Sequence, residues 1–193
     1  SYAGDQPTFP WKGQMSTARS LRLVRTQTGL RLKQVFKPDF AVKKPDFSLS
    51  NIQVSSKWAF PVPTLLKENC YLLELDLGDS VSGEIMISLA GDASSEKFTV
   101  GISAKSNKIW VDRSQSGMIL GAGFGQITEA AWLSDRSNKI QILVDHSIVE
   151  ILAADGTVAL SSLRFPQSKT ERLTLDSNSG SVKIRGIKVW KLK

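Results

Sequence analysis

Three neighbouring residues, Asp145, His146 and Ser147, carry the side-chain types of a hydrolytic triad, and His146 is the only histidine of the chain. A triad needs these groups to converge, with the imidazole within hydrogen-bond reach of the hydroxyl. Consecutive residues do not converge, because successive side chains point to opposite faces of a strand and splay apart in a turn. The apolar, β-branched flanks KIQILV and IVEIL instead predict a β-hairpin with this tripeptide in its turn. We therefore assign it no catalytic role.

Metal and cofactor chemistry is not indicated by the sequence. Cys70 is the only cysteine, so no disulfide forms within the chain, and its place in CYLLELDL is typical of a small core residue. One cysteine and one histidine do not make a zinc constellation. The stretch GAGFG (121–125) lacks the strand-to-helix context of a phosphate-binding loop, so we interpret it as an ordinary loop. We expect no metal and no cofactor.

The composition suits one globular domain, or one domain with an extension. The chain has 193 residues, of which 41% are hydrophobic and 22% are charged. No apolar run approaches the roughly 20 residues of a membrane span. The net charge of +7 comes from scattered residues, with Lys43 and Lys44 the only adjacent basic pair, so a nucleic-acid partner is not indicated. The start, SYAGDQPTFPWKG, has neither Met nor a signal peptide, so we expect a processed or cut product whose location the sequence does not reveal.

Short runs with a period of two dominate the chain, and apolar spacing typical of a helix is almost absent. Turn signals such as GDAS, SNK, ADG and SNSG separate about a dozen of these runs. The pattern predicts an all-β fold, a two-sheet antiparallel β-sandwich of the concanavalin or lectin type with an N-terminal hairpin extension. In the last run Val182 and Ile184 are out of phase with Ile187 and Val189, which predicts a β-bulge at Gly186.

The front of the chain differs from the rest. Residues 1–19 are rich in proline, glycine and polar types, and residues 20–35 read as a single hairpin, SLRLV-RTQTG-LRLKQV. A two-stranded hairpin alone is marginally stable. The front piece is therefore expected to be the tail of another domain or a segment that packs on the sandwich. We divide the chain into residues 1–36, a proline-containing linker at 37–46, and the sandwich at 47–193.

Several segments together resemble glycoside hydrolase family 32, the invertases, inulinases and levanases. One segment is similar to the end of the family's catalytic β-propeller, one to the strand after it, and the others to motifs of the C-terminal β-sandwich. Among them are an Asp-Arg-Ser-x-Ser-Gly motif and a hairpin written Val-Asp-x-Ser-Ser-Val-Glu-Val-Phe-x-Asn-Asp-Gly. In the chain these segments are YAGDQPTFPWKGQMSTARSLRL (2–23), GLRLKQ (29–34), IWVDRSQSG (109–117), ILVDHSIVEILAADG (142–156), LRFP (163–166) and KVWKLK (188–193). The resemblance implies that residues 1–36 are the tail of a truncated β-propeller catalytic domain.

The resemblance implies an accessory part of an enzyme. Family members use a nucleophilic Asp in Asn-Asp-Pro, an Arg-Asp-Pro and an acid in Glu-Cys, and none of these motifs occurs in the chain. A retaining glycosidase needs two carboxyl groups about 5–5.5 Å apart. We therefore expect no catalytic residue and no activity from the chain alone. The parent is expected to be a β-fructofuranosidase, levanase or inulinase that is secreted, periplasmic or attached to the cell surface.

The family motifs also mark candidate sugar-binding residues, namely Trp110, Asp112, Arg113 and Glu150. Carboxylates and arginine hold sugar hydroxyls by charge-assisted hydrogen bonds, and Trp110 would supply a stacking face. The alternative is a structural role, in which the charged residues close hairpins through salt bridges or turns. Departures from the hairpin motif, at Ile148, Leu152 and Ala154, place a sugar contact there in question.

Tyr2 and Trp11 form a second candidate group. The resemblance places them in the last propeller blade, facing the domain junction or the rim of the catalytic pocket. The expected partner is the missing N-terminal propeller, with fructan or fructose and a second copy of the chain as further candidates. The preferred function is a non-catalytic module that braces the propeller. A fructan-binding module is the alternative, and an independent hydrolase is the least favoured hypothesis.

Overall fold

The structure, a computed structural model, is built almost entirely of antiparallel strands. It describes residues 3–61, 63–78, 81, 83–91, 96–132, 138–178 and 180–192. The strands of these ranges are β1 (Arg19–Thr26), β2 (Gly29–Phe36), β3 (Phe47–Val54), β4 (Lys57–Ala59), β5 (Cys70–Asp76), β6 (Glu84–Gly91), β7 (Lys97–Ser103), β8 (Lys108–Gln115), β9 (Thr128–Ala131), β10 (Lys139–Asp145), β11 (Ile148–Ala153), β12 (Val158–Leu163), β13 (Thr170–Ser177) and β14 (Val182–Lys191). Short 3₁₀ helices span Ala3–Asp5, Phe40–Val42 and Pro63–Leu65. No helix in the described ranges has the length and apolar character needed to cross a membrane.

Two six-stranded sheets pack face to face. Sheet I has the strand order β12-β11-β10-β5-β14-β3, and sheet II has the order β4-β13-β6-β7-β8-β9. Apolar residues from the inner faces of both sheets, such as Ile142 of β10 and Val100 of β7, are completely buried in one continuous core. This alternation of buried and outward residues is what the period of two encodes. The predicted two-sheet antiparallel sandwich and its N-terminal hairpin are confirmed.

Two strands were not predicted from the sequence, β4 and β9, and both are edge strands of sheet II. β4 has 3 residues and β9 has 4 residues, and each lies at one end of the strand order. Strands this short carry too few residues for an alternating pattern to stand out. Short edge strands also expose few unpaired backbone groups, which limits edge-to-edge association.

The predicted β-bulge at Gly186 is wrong. Gly186 lies opposite Ser50 of β3, in the same register as the residues on either side. The change of phase itself is present, because Ile184 and Ile187 are both fully buried. Asn51 of β3, at the same level, has a left-handed φ of +55°. Both strands therefore change phase together, and their pairing register stays constant.

The outer face of sheet I carries a second apolar cluster, formed with the front of the chain. Phe36 packs there on Leu72, Leu143, Leu152 and Trp190 of the sheet, together with residues 40 and 41. The Trp190 indole Nε1 also donates to the backbone carbonyl of residue 43 at 2.7 Å. Residues 37–46, expected to be a linker, thus lie against the sheet. This segment and the hairpin root, which is the end of the hairpin at Arg19 and Phe36, cover the outer face beside β11. Every residue of β11 is therefore buried.

The hairpin β1–β2 meets the sandwich at the turn after β11. The backbone N–H of Gln34 donates to the carbonyl of Gly156 at 2.9 Å. Gly156 has a φ of +80°, and a Cβ there would lie 2.1 Å from the carbonyl oxygen of Gln34. Only glycine permits this approach of the two backbones.

We predict that Gly156→Ala detaches β2 locally from the sandwich. Gly78 has the same φ of +80°, with no described atom within 4 Å of a Cβ, so Gly78→Ala is a matched control. Both changes should cost about 1–2 kcal/mol of backbone strain. Only Gly156→Ala should also speed hydrogen exchange at the Gln34 amide. Equal protection of that amide in the two variants would show that the contact does not hold the hairpin.

Candidate interdomain surface and predicted sugar-binding residues

A buried ion pair joins the hairpin to the sandwich. Arg19 Nη2 donates to Glu150 Oε2, with the Arg19 side chain 13% exposed and that of Glu150 0% exposed. The other carboxylate oxygen, Oε1, accepts from the backbone N–H of Thr17 at 2.7 Å. Arg19 also donates to Gln34 Oε1 at 2.8 Å and to Ser161 Oγ at 2.9 Å. Residues 17–19 thus satisfy both oxygens of the carboxylate.

The surroundings of Glu150 explain why this contact matters. The residue lies in the middle of β11, on the outer face that also holds Leu152 and the second apolar cluster. A carboxylate buried there without a cation would be strongly destabilising. Arg19 supplies that cation and also lies over the Phe36 ring, 5.7 Å from its centroid. A second, more exposed pair, Lys33 Nζ to Asp155 Oδ2 at 2.6 Å, links β2 to the turn after β11.

Beyond this root, the hairpin carries an exposed apolar face. Leu23 lies directly opposite Leu32, and Leu21 and Leu30 lie on the same face, two residue pairs away in opposite directions along the hairpin. The four leucines are between 45% and 64% exposed. This leucine face is continuous with the root residues Arg19 and Phe36, since all alternate on one side of the two strands. An exposed apolar face of this kind is typical of surfaces that another surface covers.

The segment before β1 folds back on itself and touches the sandwich. Gln6 is buried, and its Oε1 accepts from the Gly13 backbone N–H at 2.8 Å. Gln14 donates through its amide to Ser147 Oγ, in the turn between β10 and β11. Trp11 is 60% exposed in this loop. It was predicted to face a domain junction or pocket rim, and this stays a prediction.

Apolar neighbours extend the exposed surface around Trp11. Phe9 is 89% exposed and Met15 is 90% exposed. Large apolar side chains this exposed are costly in water unless another surface covers them. Tyr2, paired with Trp11 in the sequence analysis, lies outside the described residues.

Trp110 and Asp112 are brought together on sheet II. Both lie on β8 and point to its outer face, where each is partly exposed. The Trp110 indole covers Gly101, where a Cβ would lie 2.0 Å from the ring, and its Nε1 donates to Glu84 Oε1 at 3.3 Å. Asp112 Oδ1 accepts from the Ser114 backbone N–H at 2.8 Å.

Arg113 points away from this pair. Its guanidinium carbon lies 4.0 Å from the centroid of the Phe124 ring, and Nη1 donates to the carbonyl of Leu163 on sheet I at 3.2 Å. It therefore ties the 116–126 loop and β12 to β8. Glu150, the fourth candidate, lies on the other sheet with both oxygens engaged by residues 17–19. The structure thus unites two of the four predicted sugar-binding residues.

The turn with Asp145, His146 and Ser147 is confirmed as the end of the β10–β11 hairpin. His146 takes a left-handed φ of +49°, and its Nδ1 lies 2.9 Å from Asp145 Oδ1. Ser147 Oγ is engaged by Gln14 rather than by the imidazole. The three side chains do not form a triad.

The described residues form a two-sheet β-sandwich with one continuous main core and a hairpin that presents an exposed apolar face. The chain belongs to the family described as "Glycosyl hydrolases family 32 C terminal", whose model matches residues 37–191. It is 30% identical to a levanase of Bacillus sp. (strain L7) over 97% of its own length, and 28% identical to a levanase of Bacillus subtilis (strain 168) over 100%. The chain spans only 21% and 29% of these two relatives.

Solved structures show the same fold. An exo-inulinase from Aspergillus awamori superposes with a TM-score of 0.84 at 22% identity, covering 100% of this chain and 38% of the inulinase. A β-fructofuranosidase from Schwanniomyces occidentalis gives a TM-score of 0.74 at 18% identity, covering 96% of this chain and 41% of that enzyme. The fold match includes the front of the chain, which lies outside the family model.

We predict that Arg19→Met lowers the free energy of unfolding by about 3–5 kcal/mol, because it leaves the Glu150 carboxylate buried without its cation. Lys108→Met is the matched control, since the Lys108–Glu129 pair has both side chains 47% exposed. The control should change stability by less than about 1 kcal/mol. Urea denaturation measures both. A loss below about 1 kcal/mol for Arg19→Met would contradict the assigned role of the pair.

Proposed function

We propose that this chain is the non-catalytic accessory sandwich of a fructan- or sucrose-hydrolysing glycosidase and that it braces the catalytic domain. The observation that carries the proposal is the leucine face of residues 21, 23, 30 and 32. A hairpin that is anchored at its root and uncovered along its length needs a neighbour. A domain encoded upstream of residue 1 is the occupant that fits.

The root makes the hairpin a suitable brace. The Arg19–Glu150 pair, the Gln34–Gly156 backbone contact and the Phe36 cluster hold one end of the hairpin against sheet I. The direction of the leucine face is thereby set relative to the sandwich. A domain bound to that face would be held in one orientation, as bracing requires.

The relatives support an upstream occupant. Proteins named levanase and extracellular exo-inulinase match nearly the whole chain, yet the chain covers between 21% and 36% of their lengths. Most of each relative therefore lies outside the matched region. Residues 9, 11 and 15, exposed beside the turn after β10, extend the surface that such a domain would cover.

We predict that the polypeptide encoded upstream of residue 1, co-expressed with this chain, forms a complex that survives gel filtration. Leu23→Asp with Leu32→Asp should weaken this complex at least about 30-fold, which corresponds to about 2 kcal/mol. The complex would lose the contacts of two leucine side chains and would have to desolvate two carboxylates. The matched control is Met118→Asp with Ile127→Asp, because these apolar residues are 41% and 56% exposed. The control should not weaken the complex.

Three outcomes would contradict this proposal. The two polypeptides could elute independently, or the control pair could weaken the complex as much as the leucine pair. The chain alone could also dimerise in analytical ultracentrifugation and become monomeric with Leu23→Asp and Leu32→Asp. That result would assign the leucine face to a second copy of the chain.

A second candidate, fructan binding, is supported by the outer face of sheet II. A row of short polar side chains crosses four adjacent strands there, with Thr174, Ser88, Thr99 and Asp112 opposite one another in turn. The three hydroxyl residues are buried, Asp112 is partly exposed, and the partly exposed Trp110 lies in the next row, flat over Gly101. An aromatic ring beside a carboxylate suits a sugar, which stacks through its C–H face and bonds through its hydroxyls.

We predict that levan or inulin retards the chain in affinity electrophoresis and that Trp110→Ala abolishes the retardation. Trp11→Ala is the control, because Trp11 is an exposed tryptophan outside sheet II. Asp112→Asn should weaken retardation without abolishing it, since one charge-assisted bond is worth about 1.5–3 kcal/mol. Unchanged mobility of the wild-type chain in both gels would remove this candidate.

A further inference from the structure

We propose that Cys70, Asp145 and His146 form a binding site for a thiophilic divalent metal ion such as Zn²⁺. The only cysteine and the only histidine of the chain, 76 positions apart, meet here with a carboxylate between them. One ligand atom from each residue lies within 4.8 Å of the other two. It is the only group of three possible metal ligands found among the described residues.

The fold holds these three residues by its strand register. Cys70 begins β5, and Asp145 ends β10 directly opposite it, so their side chains leave the sheet side by side. His146 follows in the turn, where its backbone N–H donates to the carbonyl of Asn69 at 2.6 Å. The left-handed φ of His146 turns its ring back towards Asp145. Register, turn and hydrogen bond thus act together on the three side chains.

The donor set selects the class of metal. Thiolate sulfur, imidazole nitrogen and carboxylate oxygen are together the ligands of Zn²⁺ and of Co²⁺ or Cd²⁺ in the same geometry, whereas Ca²⁺ and Mg²⁺ require oxygen ligands throughout. Three protein ligands leave one tetrahedral position for water. The His146 side chain is 73% exposed and Asp145 57% exposed, so this position faces solvent.

Charge around the site also favours a cation. Burial raises the pKa of the Cys70 thiol, and the carboxylates of Asp145 and Glu68 raise it further. Lys191 Nζ lies 3.8 Å from Glu68 Oε1, and Arg164 donates to Asn69 Oδ1 at 2.9 Å. A metal ion binds the thiolate, so binding releases the thiol proton.

No metal site was predicted from the sequence, because one cysteine and one histidine are too few ligands for zinc. Asp145 was set aside as a turn residue, and Cys70 was expected in the core. The structure instead leaves Cys70 partly exposed at the start of its strand. The pairing of β5 with β10 joins distant parts of the chain and brings Cys70 beside Asp145 and His146.

Titration of the purified chain with Co²⁺ tests the proposal. A thiolate-to-cobalt charge-transfer band should grow to one equivalent and disappear on addition of Zn²⁺. Cys70→Ser should abolish the band. His146→Gln and Asp145→Asn should each weaken cobalt binding at least about 10-fold, because substituting even a residue that only hydrogen-bonds to a metal ligand lowers metal affinity by about this factor. Asp155→Asn, in the next hairpin turn, is the matched control and should bind as the wild type does.

Thermal unfolding with and without Zn²⁺ gives a second readout and shows that each variant is folded. Zn²⁺ should raise the midpoint of the wild type and of Asp155→Asn, because it binds the folded state, and should raise the midpoints of the three ligand variants less. Absence of a thiolate band in the wild type would overturn the proposal. Equal Zn²⁺ stabilisation of wild type and His146→Gln would do the same, since it would show surface binding only.

Discussion

A buried carboxylate on the outside of a β-sheet is the constraint on which the rest of this structure depends. Glu150 lies in the middle of β11, facing away from the main core, with a side chain that is 0% exposed. Its charge is compatible with this position only while Arg19 and the Thr17 backbone contact it. The hairpin is therefore a component of the sheet I surface. Its leucine face projects from that fixed root.

The two outer faces of the sandwich consequently differ in character. One part of the outer face of sheet I is apolar and is covered by Phe36, Phe40 and Ala41, and another part carries Glu74, Gln141 and Lys188. The outer face of sheet II carries short hydroxyl side chains that are buried and one flat, partly exposed tryptophan. A protein contact beside the first face and a small polar ligand on the second can occur independently, because the filled core separates them.

The sequence predicted the strands far better than it predicted the site. Alternating runs such as KFTVGIS are local signals, and burial in one core follows from them directly. β4 and β9 were not predicted, because strands of 3 and 4 residues are too short to show an alternating pattern. The bulge at Gly186 was mistaken because phase was read in one strand, while β3 changes phase at the same level. Arg19, the partner of Glu150, lies 131 positions away, and no local pattern connects them.

By itself, the amino-acid sequence determined the fold class, the hairpin extension, the family, and the lack of the family's catalytic motifs. These follow from periodicity and from contiguous motifs, which need no knowledge of distant contacts. Only the tertiary structure decided which motif residues share a surface. It separated Glu150 from Trp110, turned Arg113 towards Phe124, and brought Cys70 beside His146. The physical reason is that strand order and register pair residues far apart in the chain, and side-chain period alone does not specify that pairing.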